Sequence, residues 1–243
     1  MTSAKTNAKL VILRHGQTAH NVKSLMTGQL DVPLTRQGEE QAREAGILLK
    51  GVRIDKVYSS TLSRAFNTAA LALKSAGKDL QIEKRAEIIE GDTGDFTGRN
   101  HKTDPEILAH GRIYDQPMPN GESDRDVVTR VRAFFEAEVL PRLQRGENVM
   151  VVAHSGVARA FDIVLGVDPE PAAGQPRDSK RRVPNAAPAI YDYEDGVMTG
   201  FRYIENPKTP PAAPDAANQN AQHGAQKQGK DALKRRGNQG PGL

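Results

Sequence analysis

Five short runs of strand-forming residues alternate with stretches in which apolar residues recur every three to four positions, a pattern that predicts a sheet flanked by helices. Lys9 to Leu13 reads as the first strand, and Thr35 is placed to cap a helix that runs to about Lys50 and stops at Gly51. Asp55 to Tyr58 is a second strand. It leads through Ser59-Ser60-Thr61 into a helix on which Leu62, Ala65, Phe66, Ala69, Ala70 and Leu73 form one buried stripe, with Arg64 off that stripe. Ser123 caps a long helix carrying Val127, Val131, Phe134 and Phe135 that ends near Gly146. The unbroken apolar run Val149 to Ala153 reads as a strand buried on both faces, and His154-Ser155-Gly156 then opens a helix bearing Val157, Ala160, Phe161 and Val164. Ala189 to Tyr193 and Met198 to Tyr203 close the pattern as a hairpin around Glu194-Asp195-Gly196.

Composition turns this pattern into one α/β domain with a tail. The 243 residues suffice for one well-buried core, and no internal repeat divides them. The expected organisation is a flexible N-terminus over 1–8, a folded domain over 9–205, and a disordered tail over 206–243 rich in Pro, Ala, Gln, Asn and Gly. The net charge of +4 suggests a nucleic-acid binder until its position is examined. From Asn206 onward six basic residues face two acidic ones, so the tail carries the whole excess and the body is formally neutral. Nucleic acid is therefore an unlikely partner. No apolar run is long enough to span a bilayer, and the N-terminal residues lack the apolar stretch of a signal peptide. With no cysteine, disulfides and thiolate metal sites are excluded, and the expected location is the cytoplasm.

Two histidines carry the candidate chemistry. In an open α/β sheet the ligand site lies beyond the carboxyl ends of the strands, and His15 and His154 each follow a strand and precede a glycine, Gly16 or Gly156. Arg64 falls in the first turn of its helix, where free amides and the helix dipole favour an anion. A neutral imidazole is a usable nucleophile, while a phosphate oxyanion repels electron pairs until its charge is neutralised. Arg14 and Arg64 suit that task, and His154, if protonated, adds a third positive contact. A proton for the leaving alcohol requires a carboxylic acid, for which Glu90 and Glu87 compete; the register with Gly94 and Gly98 favours Glu90. Asp92 and Asp95 read as turn residues, and His20 as an ordinary loop or helix-start residue. His101 and His110 match no common metal spacing.

Taken in order, these elements resemble the histidine phosphatase superfamily over roughly residues 9 to 204. Leu13-Arg14-His15-Gly16-Gln17-Thr18 with Asn21 is similar to that family's opening motif, and Thr27-Gly28 to its next phosphate-contacting element. Ser59 to Ala65 with Thr68 resembles the second-arginine motif, Glu90 with Gly94 and Gly98 the acid-bearing loop, and Ala153-His154-Ser155-Gly156 the second-histidine motif. The resemblance implies a three-layer α/β/α, phosphoglycerate mutase-like fold with a mostly parallel central sheet. It also implies a phosphorylated His15, a phosphoryl group held by Arg14, Arg64 and His154 with Asn21, Thr27, Gly28 and Ser155 alongside, and a proton moved by Glu90. It implies no metal, and a small phosphorylated metabolite as partner.

The family contains phosphatases and bisphosphoglycerate-dependent mutases, which differ in what next accepts the phosphoryl group. Mutases typically show Glu-Arg-x-Tyr-Gly at the acid-bearing loop, where this chain has Glu90-Gly91-Asp92-Thr93-Gly94. The insertion that carries an Arg-Arg pair in mutases is short here, spanning only Asn100 to Asn120. His154-Ser155-Gly156 and Pro184-Asn185-Ala186-Ala187 resemble the phosphatase versions of their loops, in place of the mutase His-Gly-Asn and Thr-Gly. A phosphatase of small phosphate monoesters, without cofactor, is the favoured reading. A mutase using 2,3-bisphosphoglycerate is the alternative, for which Arg177, Lys180, Arg181 and Arg182 are candidates for a cationic lid. A phospho-ligand binding module and a regulator acting through Lys234-Arg235-Arg236 stand behind both.

Overall fold

A computed structural model describes residues 6–176 and 183–204. The expected disorder over 206–243 and the four lid candidates Arg177, Lys180, Arg181 and Arg182 lie outside the described residues. The strands are β1 (Asn7–Arg14), β2 (Lys56–Ser60), β3 (Ile82–Arg85), β4 (Val149–Ala153), β5 (Pro188–Glu194) and β6 (Val197–Tyr203). The helices are α1 (Ala19–Val22), α2 (Arg36–Leu48), α3 (Ser63–Ala76), α4 (Pro105–His110), α5 (Asp124–Phe134), α6 (Leu140–Gln144) and α7 (Ser155–Val164).

The strands form one mixed sheet in the order β3-β2-β4-β1-β5-β6. β3, β2, β4 and β1 run parallel, while β5 is antiparallel to β1 and β6 to β5. Strand alternation separates two cores. Leu10 and Ile12 of β1 and Val149 and Val151 of β4 pack with Val131, Phe134, Leu143 and Phe161 from α5, α6 and α7. Val11, Leu13, Met150 and Val152 turn the other way, onto Ala45 and Leu49 beside α2 and Ala65, Ala69 and Leu73 of α3. The result is a three-layer α/β/α domain, each fully buried aliphatic side chain contributing about 1.5–3 kcal/mol relative to exposure.

Local chemistry sets the ends of the elements. Thr35 caps α2 by accepting the Gly38 amide, and Ser123 caps α5 in a reciprocal capping box with Asp126. The β5–β6 hairpin turns on Asp195 and Gly196, both at positive φ of 52° and 77°, as a two-residue hairpin turn demands.

Four sequence expectations need correction. β1 begins at Asn7, so Asn7 and Ala8 belong to the sheet and not to a flexible N-terminus. α2 ends at Leu48 with Leu49 as its cap, short of Gly51. Arg64 is buried together with Ala65, Thr68, Ala69, Ala72 and Leu73, whereas Phe66 and Ala70 are only partly covered, so the buried face of α3 takes in Arg64 and turns away from Phe66 and Ala70. The long helix after Ser123 is interrupted by a π-turn at Phe135–Val139. Pro141 has no amide hydrogen to donate to the carbonyl four residues earlier, and the wider turn takes up that defect.

The first turn of α2 lies directly against the backbone that follows His15. A Cβ added at Gly38 would overlap the Gln17 carbonyl, and one at Gly16 would overlap the Gly38 carbonyl. Gly38→Ala is accordingly expected to destabilise the fold by about 1–3 kcal/mol, read as a lower urea midpoint at unchanged slope. Wild-type stability in that variant would show that the backbones separate freely.

Candidate active site

Because β1, β2 and β4 run parallel, their carboxyl ends deliver Arg14-His15, Ser60 and His154 to one edge of the sheet. β5 runs the other way, so the segment entering it reaches the same edge: Leu13 pairs with Pro188, and the Ala186 amide donates to the Arg14 carbonyl. A cavity of about 410 Å³ opens there. Arg14, His15, Asn21, Thr27, Gly28, Arg64, Glu90 and Ser155 all line it. His154 does not. It is buried behind the wall, its ring centroid 5.2 Å from that of His15.

His15 is held at both ends. Its amide donates to the Ala153 carbonyl at 2.9 Å, and Nδ1 lies 2.6 Å from the Gly16 carbonyl. A carbonyl oxygen only accepts, so Nδ1 carries the proton and Nε2 keeps its lone pair. Burial, and then the charges of Arg14 and Arg64, hold the His15 pKa well below its ordinary value. The same is true of His154, where burial leads, followed by Arg64, His15, Arg14 and Arg130. His154 is therefore neutral at neutral pH, and the conditional third positive contact becomes an uncharged one.

Arg64 is fully buried, with Nη1 donating to the Leu30 carbonyl at 2.8 Å and Nη2 to the Gly28 carbonyl at 2.9 Å. Its Nε has no partner among the described residues. Gly28 adopts φ of +49°, where a Cβ would also overlap Thr93, and this conformation lets its carbonyl meet the guanidinium. Asp31 accepts from the Ser63 amide and hydroxyl at 2.9 and 2.8 Å, tying the same loop to the start of α3. Thr68, one turn after Arg64, accepts the Gly16 amide at 3.0 Å. Arg14 donates through Nη1 to the Val183 carbonyl at 2.6 Å.

Of the two carboxylic acids in contention, Glu90 lines the cavity while Glu87 sits 4.0 Å from Arg85. Glu90 accepts the Gly91 amide at 3.0 Å and the Gly156 amide in the first turn of α7 at 3.3 Å. Its loop is buttressed by Glu122, which accepts from the Asp92 amide and from Arg130, and Arg130 also donates to the Glu87 carbonyl at 2.7 Å. Asp92 accepts the Gly94 amide and Asp95 accepts from Asn120, the holding roles expected of turn residues.

Asn185 is legible in the sequence only as part of a phosphatase-like loop, and Arg159, Lys102 and Arg112 are lining residues that sequence reasoning missed. Asn185 donates to the His15 carbonyl at 2.9 Å and to Oδ1 of Asn21 at 3.2 Å, linking the β5 approach to the α1 loop. Arg159 also lines the cavity; it stands one turn beyond Ser155 on α7, a spacing that marks it as facing the same way. Lys102 and Arg112 reach the rim from the segment Asn100 to Asn120, where no periodicity announces them. Among the described residues no group of three or more histidine or acidic side chains is arranged to hold a metal ion.

The profile of the histidine phosphatase superfamily (branch 1) matches residues 10–196. Among curated proteins, the chain is 37% identical over 207 residues to the 2,3-bisphosphoglycerate-dependent phosphoglycerate mutase of Parvibaculum lavamentivorans, covering 81% of this chain and 96% of that one. Among solved structures, it resembles the α-ribazole phosphatase of Shigella flexneri with a TM-score of 0.67 at 29% identity, covering 82% of this chain and 96% of that one. It also resembles a phosphoglycerate mutase of Bacillus anthracis with a TM-score of 0.66 at 27% identity, over 80% and 92% of the two chains.

The two buried imidazoles make stability depend on pH in a defined window. Below about pH 6.5 the unfolded chain protonates histidines that the native state keeps neutral, so the unfolded state binds more protons and stability falls as pH is lowered. Carboxylates held low, such as Asp126 and Glu147, act only in a more acidic range. The unfolding free energy from urea titrations should decline between about pH 7.5 and about pH 5 by up to about 1.4 kcal/mol per pH unit per histidine. A His15→Gln, His154→Gln double variant should flatten the slope; equal slopes in the two proteins would contradict the neutral assignment.

Proposed function

The chain belongs to the histidine phosphatase superfamily (branch 1), and from that premise we propose that it is a phosphatase of small phosphate monoesters that works through a phosphohistidine on His15. The observation that carries this reading is the commitment of His15 Nδ1 to the Gly16 carbonyl, which leaves Nε2 as a free lone pair beside two arginines. In the first step Nε2 attacks phosphorus, the ester P–O bond breaks, and the leaving oxygen takes a proton from Glu90. In the second step the Glu90 carboxylate takes a proton from water, the water oxygen attacks phosphorus, the P–N bond breaks, and phosphate leaves with the lone pair restored to His15. Arg14 and Arg64 neutralise the equatorial oxygens throughout, which is the main demand of phosphoryl transfer. Asn21, Thr27, Gly28 and Ser155 shape the phosphate pocket. The reading requires neither metal nor organic cofactor, and a cysteine-free chain suits the cytoplasm.

The mutase reading is favoured by two observations: the Parvibaculum lavamentivorans protein it resembles is a 2,3-bisphosphoglycerate-dependent phosphoglycerate mutase, and Lys102, Arg112 and Arg159 also line the cavity and would suit a second anionic group on the substrate. In that case 2,3-bisphosphoglycerate would charge His15. Water is preferred as acceptor because Gly91 and Thr93 stand where mutases typically carry arginine and tyrosine.

Brief incubation with a labelled phosphate monoester followed by quenching should trap acid-labile, base-stable label on the wild type and none on His15→Ala; label persisting in the variant would refute the assignment. Arg64→Ala should lower turnover of a generic aryl phosphate by about 10²–10³-fold. With 3-phosphoglycerate, free phosphate should exceed isomer whether or not the bisphosphate is added. Cofactor-dependent isomerisation well above phosphate release would establish the mutase instead.

A further inference from the structure

His154 meets no solvent, and its two ring nitrogens have unequal surroundings. Nε2 lies 2.7 Å from Oγ of Ser60, the last residue of β2, which is itself fully buried. Nδ1 is buried with no hydrogen-bond partner among the described residues, on a ring 5.2 Å from the His15 ring. Ser60 Oγ already accepts the Leu62 amide at 3.3 Å.

We propose that Ser60 is a positioning residue, whose hydroxyl donates to His154 Nε2, fixes the neutral Nδ1–H tautomer, and so presents an N–H to the phosphoryl group carried on His15. The proposal rests on the phosphohistidine reading above. Counting protons distinguishes the possible arrangements. A serine hydroxyl has one hydrogen to give and two lone pairs to receive with. If Ser60 donates to Nε2, its hydrogen is used, the Leu62 amide is accepted, and Nδ1–H remains for a ligand oxygen. If Nε2–H donated instead, Ser60 Oγ would receive two N–H groups and its own hydrogen would be buried without an acceptor. The bare Nδ1 lone pair would then face an anion. An imidazolium would donate from both nitrogens, but the groups around the ring oppose it: Arg14 at the end of β1, His15 just beyond it, Arg64 from α3 and Arg130 from α5 all disfavour added positive charge. The carboxylate of Glu90 is taken up by the Gly156 amide, two residues along from His154. The third donor to the phosphoryl group is thus a neutral one, set by a residue that touches no substrate. Donation without a mobile proton keeps His154 from competing with Glu90 for the proton of the leaving group.

Long-range nitrogen–proton NMR on protein labelled with ¹⁵N-histidine reads this tautomer directly, with the His154 signals identified by their loss in His154→Gln. At neutral pH the wild type should show an unprotonated Nε2 and a protonated Nδ1. In Ser60→Ala the two nitrogens should average towards a tautomer mixture, and kcat should fall about tenfold with KM changed less than about twofold. Ser60→Thr, which keeps the hydroxyl, should restore both the spectrum and kcat. A wild-type spectrum with Nε2 protonated overturns the proposal without reference to any variant. So does an unchanged tautomer in Ser60→Ala, even if activity drops, because that marks a packing role. Absence of a phosphoenzyme in the wild type would instead remove the phosphohistidine reading, and the tautomer measurement stands apart from that result.

Discussion

A fully buried guanidinium sets the terms for this site. Taking Arg64 out of water costs several kcal/mol unless its hydrogens are met, and the fold answers with the carbonyls of Gly28 and Leu30 and with the charges of Glu90 and Asp31 nearby. Each of those answers constrains something else. The carbonyls pin the 28–31 loop over the cavity, Asp31 holds that loop to the first turn of α3, and Glu90 is kept beside α7. With Arg14 close by, the site holds positive charge that both histidines avoid adding to by remaining neutral. Under the proposed reading, a phosphate dianion would meet a place already arranged for it, with little reorganisation left for the chemical step.

The sheet explains why these groups meet although they are distant in sequence. Three parallel strands end at the same edge, and the fourth neighbour contributes through its start because it runs the opposite way. The two helices that begin at this edge, α3 and α7, give first-turn amides to carboxylates, Ser63 to Asp31 and Gly156 to Glu90, so backbone and side chains favour the same charge. The buttress of Glu122 and Arg130 then gives the acid-bearing loop a rigid backing from α5.

Much of this was legible in the chain. His15, His154, Arg14 and Glu90 could be located because strand, turn and glycine punctuation put them at strand ends or in a loop of fixed register. Arg64 is legible as a residue but falls off the apolar stripe that the spacing predicts; the carbonyls that satisfy it lie over thirty residues away. β3 escaped notice because Ile82-Glu83-Lys84-Arg85 is an edge strand with little apolar pattern. Lys102, Arg112 and Asn185 come from irregular segments whose course is set by tertiary contacts, such as the Tyr114 hydroxyl donating to Glu170 at 2.6 Å. The π-turn was signalled by Pro141, but only once the helix on both sides was known.

The pairing of β1 bears on how the molecule comes into being at the ribosome. His15 is made before β2 and β3, whereas both strands that flank β1, β4 and β5, follow them in the chain. The nascent chain must carry an unpaired, strongly apolar Leu10 to Leu13 past β2 and β3 before either neighbour emerges. Long-range strand pairing of this kind is slow and exposes surface prone to association, so β1 is the segment most in need of chaperone cover. Catalytic competence would then appear all at once, only after β5 has been made, and a truncated product lacking β5 would hold His15 without the frame that surrounds it.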